Sequence, residues 1–101
     1  MREIPIVPVG SGARWTLTTS LDAPLAELDR RSRICREVWS AVASRAGRLG
    51  LAAPGGTVVR TRRGSLVLVS GGRVLAGALV ERDAVVSVVA YELRERIGAS
   101  G

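Results

Sequence analysis

Between Gly64 and Asp83 the chain carries two short apolar runs, one on either side of Gly71-Gly72, and neither alternates with polar residues. A strand with one wet face alternates, because successive side chains point to opposite faces. Here Leu66 and Leu68 point one way and Val67 and Val69 the other. In the next run Leu75 and Leu79 oppose Val74, Ala76, Ala78 and Val80. Both faces of this sheet therefore need cover. Thr57 to Arg63 reads as a strand with Val59 and Thr61 on one face and Val58, Arg60 and Arg62 on the other, so Gly64 and Gly71-Gly72 punctuate a meander of three antiparallel strands.

Upstream, Glu3 to Val9 and Arg14 to Thr19 are extended candidates joined by Gly10-Ser11-Gly12. Pro5 and Pro8 cannot donate ladder hydrogen bonds, which makes the first of these irregular or an edge strand. Asp22 fits a helix N-cap and Pro24 a first turn, predicting a helix from Ala23 to Leu49 that Gly50 ends. At 100° per residue Leu25, Leu28, Cys35, Trp39, Val42, Ala43 and Ala46 form its core-facing stripe. Ile34, Val38 and Ala41 widen that stripe to roughly half the circumference, beyond the ~100° that a one-sided helix needs, so a second surface is expected to pack there. Ala52 to Gly56 is a loop by composition. Asp83 to Ile97 has strand propensity in AVVSVVAY, yet Val86, Ala90, Leu93 and Ile97 keep helical spacing and Asp83 can cap, so it is read as a helix. The order expected is β-β-α-β-β-β-α, an α+β fold in a single domain over residues 1–101, as the length suggests.

The composition narrows function mainly by what it lacks. All fifteen basic residues are Arg, and His, Lys, Asn and Gln are absent, which points to coding bias in a GC-rich bacterial genome. Without His or Lys, a Ser or Cys nucleophile has no common base, and a carboxylate would have to serve alone. Cys35 lies in the apolar stripe and reads as a buried, inert thiol. No Cys, His or carboxylate cluster has a metal-ligand spacing, and the glycine-rich pieces lack the Lys of a phosphate-binding loop. No cofactor is expected. A single Cys, no signal-like N-terminus and no long apolar run make a cytoplasmic setting the default.

The net charge of +6 admits an acidic partner. Arg30, Arg33, Arg36 and Arg48 read as a solvated helix face, and Arg60, Arg62 and Arg63 as strand charges that discourage mis-pairing. A nucleic-acid site would interleave aromatics with such Arg residues, and no aromatic is near Arg60 to Arg63 in sequence. Nucleic-acid binding is thus the alternative reading, and an enzyme using carboxylates only is a third. Trp39 serves either as an interface anchor or as the largest plug in a small core.

ARWTLTTSLD with the long helix after it, the loop APGG, VVRTRRGSLVLV, GGRVLAGALVERDA and VVSVVAYELRERIG together resemble the Roadblock/dynein light chain family over most of the chain. The resemblance implies a central five-stranded antiparallel sheet, with the long helix on one face and the terminal helices on the other. It implies a homodimer formed by pairing the long helices and joining sheets through Thr57 to Arg63. It also implies a non-catalytic platform for a Ras-like small GTPase, or a subunit of motor and signalling assemblies. On that reading the dimer or partner interface comprises Ile34, Val38, Trp39, Ala41, Arg45, Val59, Arg60 and Arg62. Family members begin with a helix before the first strand, whereas few residues precede Ile4. The helix containing Val86, Val89 and Leu93 is then expected to cover its face alone, beside an exposed apolar patch offered as a second surface.

Overall fold

In the computed structural model, residues 13–51 and 55–100 are described, and they form a four-stranded antiparallel sheet between two helices. The strands are β1 (Ala13–Ser20), β2 (Gly56–Thr61), β3 (Gly64–Gly71) and β4 (Val74–Val80), in the spatial order β1-β4-β3-β2. The helices are α1 (Arg30–Arg48) and α2 (Val86–Ser100). This α+β arrangement has four strands rather than the expected five, in the order β-α-β-β-β-α. The first expected strand, Glu3 to Val9, lies outside the described residues. Arg14 to Thr19 forms β1 and pairs along β4 from Trp15 opposite Leu79 to Ser20 opposite Val74.

The two non-alternating runs become the central strands β3 and β4, and each of their faces meets a different core. Val67, Val69, Ala76, Ala78 and Val80 pack with Val89 and Leu93 of α2. Leu66, Leu68, Leu75 and Leu17 pack with Cys35 and Trp39 of α1. The sheet is therefore apolar on both sides because a helix covers each. Two glycines permit the close approach: Gly77 lies against the Cys35 sulfur, and Gly71 against the Ile97 side chain.

The long helix starts later than the sequence suggests. Asp22 does not cap it. Leu25–Glu27 is a single 3-10 turn, Leu28 and Asp29 return to extended backbone, and Asp29 is the N-cap, its carboxylate accepting from the Ser32 N–H at 2.8 Å. The detour is held from within the helix. Arg36 donates to the Ser20 and Ala23 carbonyl oxygens at 3.0 and 2.7 Å, and Arg33 donates to those of Leu25 and Leu28 at 3.3 and 3.2 Å. These two residues of the expected solvated face thus bond carbonyls at the end of β1 and along the irregular segment that precedes α1. Leu25 and Leu28 consequently leave the helical stripe, and Leu25 is exposed.

β2 ends at Thr61 because Arg62 and Arg63 form the two-residue turn into β3. The Thr61 hydroxyl accepts from the Arg63 N–H at 3.1 Å and donates to the Gly64 carbonyl at 2.9 Å, closing that turn from its own side chain. At the far side of the sheet, Arg14 and Glu81 form an exposed ion pair at 2.8 Å, and this pairing holds the Glu81 carboxyl below its ordinary range. No helix among the described residues is long and apolar enough to cross a membrane.

Candidate functional site

A helix is about 10 Å wide and strands lie about 4.8 Å apart, so one helix shields about two strands. α1 packs on β4 and β1, which leaves its side of the sheet open toward β2. The opening is a cavity of about 510 Å³ at the N-terminal end of α1. Leu66 and Leu79, directly opposed on β3 and β4, line it together with Trp15 of β1 and Ile34 of α1. Ile34 is 44% exposed although it is a large aliphatic residue.

The charged part of the lining comes from two separate elements. Arg30 and Arg31 belong to the first turn of α1, and Arg62 and Arg63 to the β2–β3 turn. No acidic residue is among the described residues that line the cavity. The Arg31 guanidinium lies over the Trp15 ring, 5.3 Å from its centroid, so one face of the only aromatic among the described lining residues is covered. The arrangement suits a ligand that offers apolar surface in the middle and negative charge around it.

The residues expected at an interface divide between places. Ile34, Val38, Ala41 and Arg45 share one stripe along α1, roughly a quarter-turn from the buried Cys35 and Trp39. Ala41 and Arg45 are exposed, while Val38 is half-buried against the α1-side core, as is Val59 of β2. Trp39 is 8% exposed and plugs that core. Arg62 reaches the cavity. Arg60 pairs opposite Ser65 and faces the α2 side, separated by the sheet from Ile34.

The second expected surface is also redistributed. Val89 and Leu93 are fully buried beneath α2 and cannot meet a partner there, and Val86 is half-buried beside them. The helix turns that face inward because 89, 93 and 97 are the positions that fill the sheet's α2 side. The exposed apolar residues are instead Val85, Val88 and Tyr91 around α2, and Val58 on β2.

Sequence reasoning missed Trp15 as a companion of the Arg62-Arg63 turn, since 47 positions separate Trp15 from Arg62 in the chain. The available signal was alternation, because Trp15 shares a strand face with Leu17. Only the β1-β4-β3-β2 order brings that face beside the turn.

Burial pushes the Cys35 thiol up to about 12, with a smaller contribution from the Asp29 charge. Its sulfur is enclosed by α1 and β4 and offers no nucleophile at the surface. No group of three or more potential metal ligands occurs among the described residues.

No family model matches the chain, and no curated protein matches it. Among solved structures it is similar to a Roadblock/LC7 domain from Streptomyces avermitilis, at 19% identity and a TM-score of 0.70, covering 87% of this chain and 82% of that one. The chain therefore has a Roadblock/LC7-like fold, the fold of a small α+β domain built on an antiparallel sheet.

Proposed function

We propose that the protein is a non-catalytic, cytoplasmic adaptor that self-associates and serves as a platform for a Ras-like small GTPase. The observation that carries this reading is the position of β2. Among the described residues it is an edge of the sheet, and it lies beside the incompletely covered flank of α1 that contains Ile34, Val38 and Ala41. A second copy related by a two-fold axis would extend the sheet edge to edge through β2 and lay its own α1 along that flank. The Roadblock/LC7-like fold supports an adaptor or regulator role at the level of the domain.

Sedimentation equilibrium on the unmodified protein tests self-association. A dimer is expected, and Val38→Asp is expected to give a folded monomer, since two carboxylates would enter a desolvated seam. A protein that is already monomeric at high concentration removes the seam. Copurification from the native host tests the platform role, and recovery of no small GTPase in either nucleotide state removes that part.

A further inference from the structure

The cavity beside Ile34 has a chemistry that a second copy of the chain does not match. We infer that it is a docking site for an acidic linear segment of another protein, one bulky aliphatic or aromatic side chain of which enters between flanking carboxylates. The cavity is formed within one chain and does not depend on the proposed dimer, although Ile34 belongs to both surfaces.

Three observations select this occupant. First, the apolar part of the lining, Leu66, Leu79 and Ile34, rewards burial of an apolar group, and about 510 Å³ is within the usual size of a recognition pocket. Second, the guanidinium groups come from α1 on one side and the β2–β3 turn on the other, and no described lining residue is acidic. Carboxylates on both sides of an apolar anchor would meet Arg30 on one side and Arg62 and Arg63 on the other, and planar guanidinium groups bind carboxylates through two parallel hydrogen bonds. A single-headed apolar acid can reach only one of these two sides. Third, a two-fold axis would lay the partner's α1 antiparallel along this flank and bring the end that carries Arg45 and Arg48 toward the N-terminal end of α1, so a second copy would set like charge against like at this point. Single-stranded nucleic acid shares the charge requirement but needs open aromatic faces for its bases, and the one aromatic among the described lining residues already carries Arg31 on its ring.

The test uses the whole chain, labelled with ¹⁵N, and a synthetic peptide of about ten Asp and Glu residues with one central Leu. Saturable amide shifts are expected at Ile34, Leu66, Leu79 and Arg62. Replacing the central Leu by Ser is expected to weaken binding about tenfold. Arg62→Glu combined with Arg63→Glu is expected to weaken it at least about tenfold, with the amides of Val89 and Leu93 unmoved to show that the fold is intact. Arg30→Glu supplies the same test from the helix side.

The titration is run on the unmodified protein and on Val38→Asp. Binding to either supports the site whether or not the dimer covers it, and binding to a chain that sedimentation finds monomeric supports the cavity while removing the seam. Absence of shifts in both overturns the proposal. So does equal binding of the Ser peptide, equal binding to the charge-reversed variants, equal or tighter binding of an oligo-thymidine of similar length, or full reproduction of the shifts by octanoate alone.

Discussion

Gly77 lies directly beneath Cys35: a methyl group built on Gly77 would stand 2.8 Å from the sulfur and 3.2 Å from a Leu68 methyl. The absence of a side chain at this point of β4 lets α1 settle onto the sheet, and the buried thiol fills the space above it. Gly77→Ala is expected to destabilise the protein by about 1 to 3 kcal/mol, the usual cost of overpacking a closed core. Because the clash is mainly with one atom, Cys35→Ala should relieve it. The double variant is expected to be more stable than the sum of the two single changes predicts, by at least about 0.5 kcal/mol in urea unfolding. Strict additivity would show that the helix does not rest on this contact.

The same burial makes a prediction about pH. The Cys35 thiol has an ordinary value of 9.0 and is pushed up to about 12 in the folded chain, so the folded state retains a proton that the unfolded state gives up. The thiol's contribution to stability is therefore complete below pH 9 and declines as pH rises from about 9 toward 12. Cys35→Ala should show a shallower loss of stability across that window than the unmodified protein. At pH 8 the native thiol should resist iodoacetamide and react once urea unfolds the chain. Rapid modification of the native protein would place the sulfur at the surface.

The start of α1 separates two aspartates that look alike in sequence. Asp29 caps the helix, whereas Asp22 lies in the loop and approaches Arg73 at 3.6 Å, with both side chains largely exposed. Asp29→Ala should cost about 1 kcal/mol, the usual value of an N-cap, and Asp22→Ala appreciably less. The hydrogen bond from the Ser32 N–H holds the Asp29 carboxyl below its ordinary 3.8. Its stabilising effect is present above that value and is lost as pH falls through the lowered one. Asp29→Asn should keep the cap at neutral pH and flatten that part of the acid limb. Equal losses at the two aspartates in chemical denaturation would contradict the assignment.

That pair also shows how far the sequence could be read. Opposite faces of β3 and β4, the turns at Gly64 and Gly72 and the helical spacing of Val86, Ala90, Leu93 and Ile97 are local periodicities, and they were legible. The helix start was not, because it is decided by Arg33 and Arg36 reaching back to carbonyls up to 16 residues away. The cavity was legible in pieces only. Ile34 stood out as surplus apolar width on α1, but its neighbours Trp15, Arg62 and Leu79 come from three parts of the chain that the strand order alone unites.

The two hairpin turns of the meander predict opposite responses to substitution. Gly64 follows the Arg62-Arg63 turn with φ +136°, a conformation that L side chains rarely adopt, and a Cβ there would run into the Val80 carbonyl oxygen on β4. That neighbour is backbone and cannot rotate away. Strained backbone of this kind costs about 1 to 3 kcal/mol before any clash, so Gly64→Ala should remove a large part of the ~5 to 15 kcal/mol that a domain typically has. Gly72 has φ +59° and nothing within 4 Å of the Cβ position. Asn enters that left-handed region more readily than other side chains, so Gly72→Asn should change stability by less than about 1 kcal/mol. Urea midpoints of the two variants decide the matter, and a Gly64→Ala protein as stable as the parent would disprove the geometry of the turn. The consequence extends to the cavity, because Gly64 sets the exit of the turn that holds Arg62 and Arg63 beside it. A Gly64→Ala chain that still folds should lose the acidic-peptide shifts at Leu66 and Leu79, whereas Gly72→Asn, at the other end of β3, should keep them.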